Sequence, residues 1–392
     1  MAESNKISFQ NTEIAFATKS NSKLKKAYWL FYSMKFTRLA SFGMKLISFS
    51  FKIGLPIKWI IKVTIFEHFC GGENVDDCES AITDLGNANI GTILDYSVEG
   101  EETNAAFDNT TQETIKTIKK ANSDKNIPFS VFKMTGVAAF ELLHKVQEDK
   151  GLDEIEKENF DKVKERVNLI CKTAFELKVP LFIDAEETWI QNTVDDLVHS
   201  MMELYNKEQA IVHNTIQFYR KDGVVNLKKS YQKSVEGNYF YGIKMVRGAY
   251  MEQERERAEE NNYPSPIHDD KHGSDECFDD GLRFCLDNHE KISLCAGTHN
   301  EESNLLLTHL ISKKGLQKNH PTVYFAQLYG MSDHISFNLS AGGYNVAKYV
   351  PYGPVKSVMP YLFRRAEENT SIAGQTGREL LLIEAELKRR KG

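Results

Sequence analysis

The chain has 392 residues, of which 41% are hydrophobic and 27% charged, the balance of a folded protein and not of a disordered chain. Its nine prolines and 24 glycines exclude collagen-like and low-complexity classes. The net charge is −6, yet residues 14–66 hold ten Lys and Arg and no acidic residue. The remainder is therefore strongly acidic and would repel a phosphate backbone, so we expect no nucleic-acid partner.

Residues 1–88 are predicted to form a basic, mainly helical arm, and residues 89–392 a separate domain. The arm interleaves its lysines with aromatic side chains, which is typical of helices lying in a membrane interface. Binding to an anionic membrane surface and wrapping around the acidic remainder of the chain are both open. Lys52, Pro56, Lys58 and Lys62 interrupt its apolar run, so no transmembrane helix is predicted. The interleaved aromatic residues are Trp29, Phe31, Tyr32, Phe36, Phe49, Phe51 and Trp59.

The six cysteines form no CxxC pair, and no histidine cluster stands beside them at zinc spacing. We therefore expect reduced intracellular thiols and no metal site.

After the arm, short apolar or β-branched runs alternate with helical patterns. Such alternation implies parallel strands with right-handed crossovers, and eight units favour a closed barrel over an open sheet. An open nucleotide-binding sheet is further disfavoured because neither GxGxxG nor GxxxxGK[ST] occurs. The predicted strands are Gly91–Tyr96, Phe129–Met134, Leu181–Asp184, Ala210–Gln217, Tyr241–Val246, Ile292–Ala296, Val323–Gln327 and Val346–Tyr349. Predicted helices include Thr110–Ala121, Glu154–Leu177, Thr188–Tyr205 and Cys277–Asn288.

Polar residues end seven of these strands, where α/β barrels carry their catalytic groups. Any one of them could instead be an ordinary solvated loop residue. Their recurrence on seven strands favours a functional site. These residues are Lys133, Asp184 with Glu186 and Glu187, Gln217, Lys244, Arg247, Thr298, His299, Gln327, Tyr329 and Tyr349.

Near the end of the chain, Tyr361, Arg364, Arg365 and Glu368 share one stripe of a predicted helix. Two neighbouring guanidinium groups can bind a carboxylate with paired hydrogen bonds, which an ammonium group cannot do. A salt-bridge ladder between these arginines and Glu368 on a solvated surface fits the spacing equally well.

Six sequence blocks, in family order, resemble the signature blocks of the proline dehydrogenase family. The likeness spans roughly residues 90–392 and is closest to the monofunctional, mitochondrial-type branch. The blocks are Phe182–Glu186, Lys244–Tyr250, Thr298–Asn300, Gln327–Met331, Lys348–Val355 and Tyr361–Asn369.

The resemblance implies a distorted (βα)8 TIM-like barrel that binds FAD and oxidises L-proline to Δ1-pyrroline-5-carboxylate. It also implies electron transfer to a membrane quinone, in the first step of proline catabolism to glutamate. In the implied proline pocket, Arg364 and Arg365 bind the carboxylate and Glu368 orients them. Completing this pocket are Lys133, Asp184, Tyr250, Leu328, Tyr349 and Tyr361. Implied flavin-binding residues are Gln217, Lys244, Arg247, Gly248, Ala249, Thr298, His299, Asn300 and Gln327.

Several expectations accompany this reading. The enzyme would be cytoplasmic and peripherally associated with the inner membrane, on the matrix face if the source is mitochondrial. The short sequence after residue 369 leaves no room for an aldehyde dehydrogenase domain, so a bifunctional enzyme is not expected. Open alternatives are a hydroxyproline dehydrogenase, another flavin barrel such as a folate reductase, and an inactive barrel that only binds partners.

Overall fold

The computed structural model describes residues 7–34, 53, 55–98, 102–371 and 375–391. Within these ranges eight parallel strands close into a barrel in chain order, with helices between them. The (βα)8 TIM-like fold class predicted from the alternation of elements is therefore confirmed. The strands are β1 Ile90–Tyr96, β2 Phe129–Lys133, β3 Leu181–Asp184, β4 Val212–Gln217, β5 Tyr241–Val246, β6 Ile292–Gly297, β7 Val323–Leu328 and β8 Val346–Tyr352.

Sixteen α-helices occur in the described ranges, joined by a π-helix at Lys62–Phe66 and 3₁₀ turns at Asp76–Cys78 and Met134–Gly136. The helices before β2 are α1 Thr12–Ala15, α2 Asn21–Met34, α3 Lys58–Ile61, α4 Glu67–Phe69, α5 Glu79–Gly86 and α6 Asn104–Ser123. Between β2 and β6 lie α7 Phe140–Gln147, α8 Glu154–Glu176, α9 Thr188–Tyr205, α10 Gly223–Glu236, α11 Met251–Glu260 and α12 Lys271–Asp287. The last four are α13 Glu301–Lys313, α14 Asp333–Ala341, α15 Met359–Ser371 and α16 Gln375–Arg389.

Some predicted bounds were wrong, for identifiable reasons. Strand β8 continues to Tyr352, because its register with β1 extends through Asp95 opposite Pro351. Helix α12 begins at Lys271, well before the predicted Cys277, because the Asp270 side chain caps it by accepting from Gly273 N at 2.9 Å. Both elements were predicted too short because Pro351 and Gly273 are residues typical of turns.

Strand β4 shows how polar residues enter the barrel wall. All six of its residues are buried, as parallel strands covered on both faces require. His213 Nε2 lies 3.1 Å from Ser293 Oγ, and Asn214 Nδ2 donates to Asp195 at 2.9 Å. Because these side chains have partners, their burial carries no large desolvation cost.

The chain forms two compact units, one from the described parts of residues 1–100 and 327–392, the other from residues 101–326. We call them the terminal unit and the central unit. The predicted domain boundary at 88/89 stays a prediction.

In the terminal unit, the described part of the basic arm has one buried face. Leu24 and Phe31 of α2 are at most 1% exposed and belong to one apolar cluster with Leu362 of α15 and Ile383 of α16. Trp29, on the other face of α2, is 65% exposed. The described part of the arm thus packs into the core and leaves an aromatic face exposed. Residues 35–52 of the arm lie outside the described ranges. No described helix is both long and apolar enough to cross a bilayer.

Candidate active site

The strand ends of the central unit hold a buried ion pair between β5 and β3. Lys244 is 4% exposed, and its ammonium group donates to a carboxylate oxygen of Asp184. The same ammonium lies 5.6 Å from the ring centre of Phe182. A buried cation needs such a partner, since an unpaired charge would carry a large desolvation penalty. The structure therefore brings a residue predicted for the substrate, Asp184, into contact with one predicted for the flavin.

Arg247, just beyond β5, is fixed by three polar partners. Its Nε donates to Asp275 at 2.7 Å, one terminal nitrogen donates to Thr298 Oγ1 at 2.6 Å, and the other donates to Ser303 Oγ at 3.0 Å. Its guanidinium carbon also lies 4.5 Å from the ring centre of Phe278. The predicted flavin residues Arg247 and Thr298 are therefore neighbours, with a rigidly oriented cation between β5 and β6.

Asn300 begins helix α13. Its Oδ1 accepts from the backbone N–H groups of Glu302 and Ser303 at 2.8 and 3.1 Å, the usual arrangement of a helix N-cap. The side-chain oxygen is thus engaged in capping. His299, directly before it, is half-buried at the end of β6.

Two further central-unit residues bear on cofactor binding. Gln217, at the end of β4, is 3% exposed, and its Oε1 has no hydrogen-bond partner among the described residues. An unsatisfied buried acceptor costs about 1–3 kcal/mol, which a donor group on a bound ligand would offset. Gly248 has φ +133°, and a Cβ there would meet the Tyr219 ring at 2.5 Å, so only glycine fits. Ala249 follows on the exposed loop, and Tyr250 precedes α11.

Glu186 is one of the strand-end candidates, and no specific role follows for it from the sequence. It is 3% exposed, and its carboxylate accepts from the backbone N–H of Thr135 at 3.0 Å and from the Thr135 hydroxyl. Burial raises its pKa to about 7, against the opposing hydrogen bonds from Thr135 and the charge of Lys133. Glu186 therefore ties the loop after β2, which begins beyond Lys133, to the end of β3. Its place in the acidic run after Asp184 was the available signal, but such runs are also common in solvated loops.

The loop after β7 is held from several sides within the terminal unit. Buried Lys348 of β8 donates to the carbonyls of Leu328 and Met331 at 3.3 and 2.6 Å, and to Asp333 at 2.7 Å. The backbone N–H of Tyr329 donates to the carbonyl of Tyr349 at 2.8 Å. Lys348 lies in one of the six blocks that resemble the family. No role was predicted for it, because a lysine in a strand gives no sign that it will be buried.

The predicted site residues of this loop are thereby positioned next to β8. Gln327 is 2% exposed and accepts from Ser336 Oγ at 2.8 Å. Tyr349 is 8% exposed, and Leu328 is half-buried.

The predicted arginine stripe lies on a helix, α15. Arg365 is 7% exposed, and its guanidinium carbon lies 5.0 Å from the ring centre of Tyr361, which is itself 5% exposed. Arg364 is half-buried. A salt-bridge ladder on a solvated surface would leave both arginines exposed, so the burial of Arg365 disfavours that alternative. The side chain of Glu368 lies outside the described residues.

In the described ranges, no three His, Cys, Asp or Glu side chains come together in a way that could hold a metal ion. All six cysteines are buried and unbridged. Burial raises the pKa of the Cys78 and Cys295 thiols to about 12, so both are protonated and unreactive near neutral pH.

Comparison with known proteins gives one consistent group. A family model described as "Proline dehydrogenase" matches residues 78–378. "Proline dehydrogenase 2, mitochondrial" of Arabidopsis thaliana is 33% identical over 377 residues, covering 84% of this chain and 79% of the plant protein. "Hydroxyproline dehydrogenase" of Xenopus laevis is 28% identical over 414 residues, covering 96% of this chain and 88% of the frog protein.

Among solved structures, proline utilization A (PutA) of Bdellovibrio bacteriovorus matches with a TM-score of 0.71 and 17% sequence identity. The match covers 93% of this chain but only 37% of the bacterial one. At that identity the likeness supports the fold.

Proposed function

Because the chain belongs to the proline dehydrogenase family, we propose that it oxidises L-proline to Δ1-pyrroline-5-carboxylate. In this proposal the protein binds FAD and passes the electrons to a membrane quinone. The observation that carries it is the family match over residues 78–378, within which every residue assigned to proline or flavin lies. The reaction would open proline catabolism toward glutamate.

Recognition of the substrate carboxylate is assigned to Arg364 and Arg365. The burial of Arg365 against Tyr361 supports this, since a guanidinium group away from water binds a carboxylate more strongly and holds its orientation. Binding the carboxylate in one orientation also holds the pyrrolidine ring of proline. The binding energy therefore orients the carbon next to nitrogen. Glu368 is proposed to orient the arginines. The other proposed pocket residues are Lys133, Asp184, Tyr250, Leu328, Tyr349 and Tyr361.

FAD, when bound, supplies the hydride acceptor for this oxidation. The central unit offers suitable groups for it: the unsatisfied Oε1 of Gln217, the fixed guanidinium of Arg247 and the buried ammonium of Lys244. A cation at Lys244 would stabilise negative charge that develops on the cofactor side, and Asp184 holds that cation in place. The remaining proposed flavin residues are Gly248, Ala249, Thr298, His299, Asn300 and Gln327.

The proposed setting is the inner membrane surface, on the matrix side if the source is mitochondrial. The mitochondrial relative and the exposed aromatic residues of the arm support it.

A hydroxyproline dehydrogenase is the second candidate, favoured by the similarity to the Xenopus protein of that name. Tyr349 favours proline as the substrate, because we propose that its phenol ring occupies the space that the hydroxyl group of hydroxyproline would need. The sequence motifs of the arginine helix likewise disfavour a folate-type flavin barrel or an inactive barrel.

Dye-linked turnover tests the proposal. The purified protein, an artificial electron-accepting dye and either L-proline or trans-4-hydroxy-L-proline are mixed, and the cyclic imine product is trapped with 2-aminobenzaldehyde. We expect the coloured adduct to form with proline, and with hydroxyproline at least tenfold more slowly. Adduct formation only with hydroxyproline would support the second candidate, and none with either substrate would contradict both.

A further inference from the structure

A cavity of about 1170 Å³ lies inside the terminal unit, and none of its described lining residues is among those assigned above to proline or flavin contacts. We call it the arm cavity. Its sides are formed by α2, by the π-helix with α4, and by α5, and its floor by the loop after β7 and by β8. Drug-sized ligands usually occupy pockets of about 300–1,000 Å³, so this cavity could hold a ring with a substantial tail.

The walls of the arm cavity are largely apolar and aromatic. Ala27, Leu30 and Phe66 line its interior, and Val63 and Trp29 line its outer part, where they are 40% and 65% exposed. A ligand in this cavity would therefore have a flat or apolar body that leaves part of its length toward the protein surface.

Most of the lysines that line the arm cavity are paired with carboxylates, although exposed Lys25 also lines it. Three of its lysines pair with carboxylates: Lys23 with Asp84 at 3.7 Å, Lys26 with Glu67 at 3.4 Å, and Lys62 with Glu73 at 2.8 Å. A phosphate or fatty-acid headgroup would have to compete with these carboxylates for the paired lysines. The pairing of these three lysines thus favours an uncharged head over an anionic one.

Polar groups at the floor suit an uncharged ring that carries oxygen atoms. Lys19 reaches the floor from the arm, where its ammonium group lies 2.5 Å from Asp333. His68 Nε2 lies 2.9 Å from the carbonyl of Gly330, so it must donate, and the other ring nitrogen is then an acceptor. Burial lowers the pKa of His68 to about 3, which keeps the ring neutral. An ammonium donor and an imidazole acceptor match a quinone carbonyl and a quinol hydroxyl, respectively.

The floor also includes the chain neighbours of two proposed site residues. Tyr329 and Gly330 line the cavity and directly follow Leu328 and Gln327, which the proposed function assigns to proline and to flavin. Successive Cα atoms are about 3.8 Å apart, so Tyr329 lies within about 8 Å of Gln327 along the chain. An electron acceptor in this cavity would be close to the residues that hold its donor.

We infer that the arm cavity is the binding site of the quinone that reoxidises the enzyme. This inference rests on the proposed function. Oxidation of one proline to the imine releases two electrons and two protons, and both carbonyl oxygens of one quinone take them up to give the quinol. The apolar tail would leave past Val63 and Trp29.

Binding is measured first, without turnover. A variant with Trp59→Phe and Trp189→Phe keeps Trp29 as the single tryptophan, and its fluorescence is titrated with a ubiquinone carrying one isoprene unit. We expect saturable quenching of Trp29. Val63→Arg and Ser80→Arg, on two different helices that line the cavity, should each raise the apparent Kd at least tenfold. Ile60→Arg is the matched control, because Ile60 is 51% exposed in the same segment but does not line the cavity.

Turnover separates this inference from the proposed function. With proline, both lining variants should raise the KM for the short-chain quinone at least tenfold and leave dye-linked proline oxidation within twofold of the parent. Non-saturable quenching, or equal quinone affinity in Val63→Arg, Ser80→Arg and Ile60→Arg, overturns the inference. If the parent oxidises no proline with the dye, the proposed function fails, whatever the fluorescence shows.

Discussion

Two arginines on one turn of α15 differ in burial, and this difference bears on substrate binding. Arg365 is 7% exposed and packs over Tyr361, whereas Arg364 is half-buried. Loss of one partner of a buried charge pair costs about 2–5 kcal/mol. We therefore expect Arg364→Met and Arg365→Met to raise the KM for proline about 30-fold or more, with Arg365→Met the more severe.

Steady-state kinetics and bound flavin are measured together for these variants. The change in kcat should be smaller than the change in KM, because the anchor acts in the ground state and the transition state alike. Flavin content should be nearly unchanged, and Arg365→Lys should not restore the KM. A near-normal KM in both Met variants would return α15 to a structural role.

Tyr349 is 8% exposed at the end of β8, a position suited to excluding larger rings. If its phenol fills the space of a ring hydroxyl, Tyr349→Ser should admit 4-hydroxyproline. Steric exclusion of this kind is worth about 1–3 kcal/mol, so the ratio of kcat/KM values should move toward hydroxyproline by about 5- to 150-fold. Tyr349→Phe, which keeps the ring, is the control. An unchanged ratio in Tyr349→Ser would place Tyr349 outside the pocket.

Glu186 predicts a pH effect on stability. Its pKa is about 7 in the folded protein and near its ordinary 4.5 in the unfolded chain. Between these pH values the folded protein binds more protons than the unfolded chain does. The contribution of Glu186 to the free energy of unfolding is therefore complete below about pH 4.5 and is lost as the pH rises through 7. The shift corresponds to a contribution on the order of 3 kcal/mol. Glu186→Gln removes the titrating carboxyl group, so its free energy of unfolding should lack this pH dependence.

Urea unfolding of the parent and of Glu186→Gln between pH 5 and pH 8 checks this. The free energy of unfolding of the parent should fall relative to the variant as the pH increases. Parallel curves for the two proteins would mean that Glu186 does not titrate in this range.

At the scale of elements, the strands and long helices follow directly from the sequence pattern. Leu181–Asp184, Tyr241–Val246 and Thr188–Tyr205 have the same bounds in prediction and structure. Long-range partners could not be predicted in this way. Nothing in the periodicity indicates that Lys348 would be buried beside Asp333, or that Glu186 would bind Thr135. Those contacts depend on how loops from different strands meet.

The arm is a single element with two different faces. Its sequence left membrane binding and packing onto the protein equally open, and α2 shows a buried face with Leu24 and Phe31. Removing the whole arm would therefore expose the core of the terminal unit. Trp59 and Ile60 in α3 are 70% and 51% exposed and do not line the arm cavity, so they allow a more selective test.

Membrane binding is predicted to depend on these two side chains. Apolar side chains of an interfacial helix enter the acyl boundary and stabilise binding in proportion to their buried area. We expect Trp59→Ser with Ile60→Ser to reduce sedimentation with anionic vesicles several-fold and to leave dye-linked turnover intact. Leu204→Ser with Val225→Ser, exposed apolar residues of the central unit, is the control pair. Equal sedimentation of both double variants would contradict a membrane-facing α3.

At the scale of the whole molecule, the eight-stranded barrel was predictable because each strand–helix repeat is readable locally. The candidate site was predictable only in part. Strand-end positions singled out Asp184, Lys244 and Arg247, and the structure joins the first two in one ion pair. Their assignment to proline or to flavin came from the family resemblance, since strand-end position alone does not distinguish a substrate contact from a cofactor contact.

The central claim is that this chain binds a flavin and reduces it with L-proline. Anaerobic addition of L-proline to the purified protein, followed by its visible spectrum, tests this most directly. We predict a yellow protein whose flavin absorbance bleaches with L-proline and returns on addition of the one-isoprene ubiquinone, while D-proline and reduced folates have no effect. A flavin that stays oxidised at saturating L-proline, or a folded protein that takes up no FAD, would contradict the claim.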